Sequence, residues 1–166
     1  MWVLLFFLIL CIWVLFTPLY PALTIMDGKS KQLVFLQPIN LKEPFSLQYI
    51  HSIHKTPIVE QYYLNENLDI VLDSVTYESF GVGTPSTLEP GQTFTQRDGK
   101  YIINNMNREF PYFDQAIGQV IANHQLLIDQ KIIPLSSLTA PGNWVRFQGK
   151  KVSLLTLWKE GAPYDR

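Results

Sequence analysis

The sequence predicts an all-β fold, a single antiparallel β-sandwich or small barrel, behind an N-terminal hydrophobic helix. Three observations predict it. Short runs rich in Val, Ile, Tyr, Phe and Trp recur along most of the chain, and turn-forming residues separate them. The first 26 residues are of a different composition, with no charged residue from Trp2 to Met26.

Residues 1–26 are expected to be a transmembrane anchor or signal segment, ahead of a β domain over 27–166. A helix over "WVLLFFLILCIWVLF" and Thr17 rises about 24 Å at roughly 1.5 Å per residue, slightly less than a bilayer core. Pro18 and Pro21 predict a kink or an end just beyond it. One reading is an uncleaved membrane anchor. The other is a signal peptide that is cleaved and leaves a secreted domain, since the run has near signal length and a turn-like "TPLYPAL" follows. Against cleavage, Tyr20 stands two places before Ala22, where a small residue is needed. Leu10 before Cys11 argues against a lipoprotein signal. Lys29 and Lys31 follow the run and no basic residue precedes it, which taken alone places the domain in the cytoplasm.

Beyond Met26 the strands are expected at 32–38, 45–53, 57–64, 68–80, 92–96, 100–106, 117–128, 143–147 and 152–158. "RDG" at 97–99 is a tight hairpin signal, because Asp-Gly accepts the positive φ of a primed turn. "EPG" (89–91), "APGN" (140–143) and "QGK" (148–150) mark further turns, and "PLSSLTA" (134–140) a helical one.

Composition narrows the function classes. Thirteen Lys and Arg against 14 Asp and Glu leave no basic stripe, so nucleic acid is not expected as a partner. One cysteine, inside the apolar run, excludes a disulfide framework and a thiolate metal cage. No metal or other cofactor is expected.

"YIHSIHKTPIVEQYY" (49–63) holds the densest set of chemistry-bearing residues. A four-residue loop at 54–57 pairs Leu47 with Leu64, Tyr49 with Tyr62, His51 with Glu60 and Ile53 with Ile58, all on one face. His51 and Glu60 are then cross-strand neighbours on the apolar side, a structural ion pair whose one-sided loss destabilises the fold. His54 falls on the opposite face, which disfavours a two-histidine chelate, and His124 is far off in sequence. Ser52 lacks the G-x-S-x-G surroundings of a nucleophile and points away from His51. A hydrolase or metalloenzyme is therefore not the expected class, and the sequence names no catalytic residue.

"SFGVGTP" (79–85) has neither the lysine nor the following helix of a phosphate-binding loop. Gly81 and Gly83 are expected to supply positive φ or close backbone approach at a strand end. The other reading is that amides there, with Thr84, bind a small anion or a partner's backbone.

The two segments, a "DGKYI" hairpin and the closing "PLSSLTAPGNWVRF" together resemble the domain-of-unknown-function family 1850 over residues 43 to 150. The signature falls on His51, Ser52, Thr56, Pro57 and Glu60, then Ser79, Phe80, Gly81, Gly83 and Pro85. Val82 departs from the smaller residue usual at its position. The resemblance implies a small exported or membrane-tethered protein with an extracytoplasmic domain. It also implies an accessory role beside TRAP-type transporters of the TAXI subclass, whose membrane subunits become the expected partners. It supplies no catalytic residue. The functional expectation is a non-enzymatic, membrane-tethered accessory or interaction domain. The alternative is a small-solute or ion-binding domain using His51, Ser52, Glu60 and the 81–85 loop.

Overall fold

The computed structural model describes residues 2–78, 87–118 and 121–161. Helix α1 (Trp2–Phe16) stops where Pro18 removes the next amide, and Thr17 closes it by donating its hydroxyl to the Trp13 carbonyl at 2.6 Å. Fifteen residues rise roughly 22 Å at ~1.5 Å each. Among the described residues no helix is long and apolar enough to cross a membrane. That corrects the expectation of a transmembrane helix.

The remainder of the 1–26 segment is a strand. β1 (Tyr20–Asp27) precedes β2 (Leu33–Pro38), β3 (Phe45–Ile50), β4 (Pro57–Leu64), β5 (Ile70–Tyr77), β6 (Thr93–Arg97) and β7 (Lys100–Asn104). Then come β8 (Arg108–Phe110), β9 (Phe113–Ala116), β10 (Gln125–Ile128), β11 (Lys131–Pro134), a 3-10 turn at Leu135–Ser137, β12 (Trp144–Val152) and helix α2 (Leu154–Glu160). The smaller sheet has the order β2-β1-β12-β9, and the larger β11-β10-β3-β4-β5-β7-β6, with β8 also on β5. All ladders are antiparallel and neither sheet closes on itself, so the fold is a sandwich and not a barrel.

Alternation builds the core. Leu23, Ile25, Val145 and Phe147 of the smaller sheet face Phe45, Leu47, Leu64, Ile70 and Leu126 of the larger, each 1% exposed or less. An aromatic column crosses the interface: Phe45 stacks on Tyr62 (5.6 Å between centroids), Tyr62 on Phe113 (5.2 Å) and Phe113 on Phe147 (4.8 Å). On the outside of the smaller sheet, Leu157 of α2 packs against Ala22, Leu36 and Val152, and α1 touches α2.

Several expectations shift for local reasons. The turn expected at 148–150 is continuous strand, and Gly149 is required there because a Cβ would lie 2.3 Å from the Leu68 carbonyl oxygen. The strand expected at 152–158 is helix instead, started by Ser153 Oγ accepting from the Thr156 amide at 3.2 Å. The long strand expected at 117–128 shortens to β10 within the described residues. The Asp98–Gly99 hairpin forms as predicted, with φ of 52° and 74° at its two turn residues.

Candidate functional site

The hairpin carrying the sequence signature forms in a different register. Leu47 pairs with Glu60, Phe45 with Tyr62, Tyr49 with Ile58 and Ile50 with Pro57. Each partner is displaced by four positions from the expected one. Four is even, so the residues that remain in the strands keep their predicted face while changing their neighbours, and His51, Ser52 and Ile53 leave the strand altogether. The cause is a longer connection. β3 ends at Ile50, and residues 51 to 56 form the loop in place of 54 to 57.

His51 organises that loop. Its amide donates to the Thr56 carbonyl (2.9 Å), and its own carbonyl accepts from the Lys55 amide (3.0 Å). Its Nδ1 accepts from the amides of Ile53 (3.3 Å) and His54 (3.2 Å), and its ring stacks on His54 at 4.8 Å. Lys55 takes a φ of 57° to complete the reversal. The expected His51–Glu60 ion pair is therefore absent among the described residues: His51 is spent on backbone amides, one loop away from Glu60. Ser52 is exposed at the turn, Thr56 contributes its carbonyl, and Pro57 opens β4. Ser79, Phe80, Gly81, Gly83 and Pro85 lie outside the described residues.

Glu60 instead sits between two phenols. Tyr62 donates to Oε2 at 2.8 Å and Tyr49 to Oε1 at 3.0 Å. Burial first, and the neighbouring Glu60 carboxylate second, raise both phenol pKa values well above the ordinary tyrosine range. Both hydroxyls therefore stay protonated and act as donors across the physiological range. A carboxylate offers about four lone-pair positions, and two are taken here among the described residues. Beside them the His124 ring lies 5.3 Å from that of Tyr49. The Gln115 side-chain nitrogen is 3.0 Å from His124 Nε2. An amide nitrogen can only donate, so Nε2 is the acceptor and the proton sits on Nδ1. Nδ1 is buried and has no hydrogen-bond partner among the described residues. Burial lowers the His124 pKa, which keeps the ring neutral. The arrangement holds protons in place; it presents no activated nucleophile, and no group of three metal-ligating side chains occurs among the described residues.

A second carboxylate, this one buried, was not singled out from the sequence. Asp27, at the end of β1, accepts from the amides of Ser30 (2.7 Å) and Lys29 (2.9 Å) and from the Ser30 hydroxyl (3.0 Å) at Oδ1. Its Oδ2 accepts from Asn143 Nδ2 (2.7 Å) and from the Thr139 hydroxyl. The Thr139 hydroxyl and then the Ser30 amide are the main reasons its pKa falls to about 2. The "DGKS" run was the available signal, an Asp positioned to accept from amides two and three residues on. For Glu60 the signal was the pair of tyrosines already assigned to its face.

Residues 45–135, more than half of the chain, match the family described as Domain of unknown function (DUF1850). The chain belongs to this family. The matched span runs from the start of β3 to the 3-10 turn after β11, so it includes Tyr49, Glu60, Tyr62 and His124 and leaves out β1, β2 and β12. Family membership thus covers the larger sheet, while much of the smaller sheet comes from the flanks. No curated protein and no solved structure matches the chain.

Proposed function

We propose that this DUF1850 member is a non-enzymatic β-sandwich tethered to a membrane, serving there as an accessory or interaction module for a transport component. The observation that carries the tether is the exposure of α1. Trp2 is 80% exposed, Phe6 69%, Trp13 61% and Phe16 62%, and its neighbour in the fold is α2. A helix that is apolar all round requires an apolar medium on every side. Bilayer hydrocarbon supplies that medium, and the tether is an insertion of α1 into the apolar layer, not a crossing of it.

The tether joins the domain without a linker of its own. Three residues separate α1 from β1, whose Ala22, Leu23 and Ile25 are fully buried between β2 and β12. Cleavage after Ala22 would remove the first three of that strand's eight residues, which supports a retained helix over a discarded signal. The extracytoplasmic side and the TRAP-type partner rest on the family resemblance.

Alkaline extraction of native membranes tests the tether: the protein is expected to stay in the pellet, and its release into the wash would refute it. Affinity capture of the full-length protein from mild detergent tests the partner. Transporter membrane subunits are expected to copurify, and recovery of the protein by itself would end the accessory reading.

A further inference from the structure

The outer face of the smaller sheet carries a groove of about 230 Å³ that neither the family signature nor the tether uses. With Val145 and Phe147 in the core, strand alternation turns Trp144, Arg146, Gln148 and Lys150 outward. Met26 stands opposite Arg146, and Ala22 opposite Lys150. Lys31 joins them from the β1–β2 turn, held by a φ of 60°. That turn lies flat on the Trp144 indole, where a Cβ on Gly28 would come within 2.1 Å of the ring. The Lys31 ammonium rests 4.5 Å from the indole centroid.

The charges around the groove do not balance. Arg146 is matched by Asp114 in a two-pronged ion pair (2.7 and 2.8 Å) and lies 3.9 Å from the centre of the Tyr112 ring. Asp27 lines the groove with both oxygens already engaged. Lys31 meets the indole, and Lys150 meets only the Met26 sulfur at 4.0 Å. Neither ammonium makes an ion pair among the described residues, although the Asp114 carboxylate is close enough to Lys31 to feel its charge. Lys31, Arg146 and Lys150 thus set three positive charges against the two carboxylates Asp27 and Asp114, a surplus of one cation at a small groove that also offers the apolar surfaces of Met26 and Trp144 and the amide of Gln148.

We propose that this groove binds a small organic carboxylate, its charged end on Lys31 and Lys150 and its hydrocarbon against Met26 and Trp144. The volume lies below the ~300 Å³ at which drug-sized pockets begin, so the ligand is a few carbons in size. Isothermal titration of the full chain in detergent micelles tests this with benzoate, succinate and inorganic phosphate as probes, at constant ionic strength. Saturable binding of a carboxylate is expected. Lys31→Gln and Lys150→Gln should each weaken it about tenfold or more, as loss of one charge-assisted bond does. Lys100→Gln, on the distant β6–β7 hairpin, should leave it unchanged. Lys150→Gln lies on a regular exposed strand position and decides the matter if the turn variant folds poorly. Flat titrations with both carboxylates, binding of phosphate alone, or affinity indifferent to both lysines would overturn the assignment.

Discussion

Asp27 and Glu60 are two interior-facing carboxylates solved in opposite ways. Asp27 gathers five donors, two of them backbone amides from its own turn and two of them side chains from residues 139 and 143. Glu60 gathers two phenols from neighbouring strand positions and keeps lone pairs open. The first is a latch, tying the end of β1 to the segment that leads into β12. The second is a polar inclusion in an apolar column, beside a neutral histidine whose proton has no partner among the described residues. The number of donors, more than burial, separates a carboxylate that closes a fold from one that can still receive a ligand or partner.

The comparison breaks first at Asp27. Asp27→Ala strands donors from both ends of the chain, and the loss of stability is expected to exceed that of any change around Glu60; urea unfolding of the two variants side by side checks this. Tyr62→Phe comes next, at about 1–3 kcal/mol, because Glu60 is left with one donor and the stacked ring is kept. A variant as stable as wild type would show that Glu60 is hydrated in solution.

Acid sharpens the contrast. The folded pKa of Asp27 is depressed to about 2 from 3.8, so its contribution is fully present above the unfolded value and is lost as pH falls from about 4 through about 2. Thermal melts across that window should decline more steeply for wild type than for Asp27→Asn. Parallel curves would detach Asp27 from the acid transition. The smallest effect is expected at His51. His51→Ala removes one side-chain cap from an exposed loop, worth about 1 kcal/mol or less, and His51→Asn should restore part of it by accepting from the same amides. A loss as large as that of Tyr62→Phe would mean that His51 does more than cap its turn.

Much of this was legible beforehand. Alternation in "FSLQYI" and "PIVEQYYL" assigned Leu47, Tyr49, Glu60, Tyr62 and Leu64 to one face, and that assignment survived a register displacement because the displacement was even. The neighbour of Glu60 was not legible. It depended on how many residues the loop consumed, and that depended on His51 turning its ring onto two amides. β1 was hidden because "YPALTIM" continues the apolar run before it, and composition cannot separate a membrane-seeking helix from a central strand. The partners of Asp27 come from residues more than a hundred positions away.

By itself the sequence determined an all-β chain behind a short apolar helix, the Asp98–Gly99 hairpin, the inward faces of the central strands and membership of the DUF1850 family. These follow from local chemistry: side-chain alternation, positive φ at glycine and aspartate, and the proline that stops α1. Only the tertiary structure decided the sandwich over the barrel, the phenols in place of the histidine at Glu60, the latch at Asp27 and the pairing of Lys31 with Lys150 across one groove. Each of these is set by which strands lie side by side. That order is selected by the summed packing of two sheets, a quantity no short stretch of residues contains.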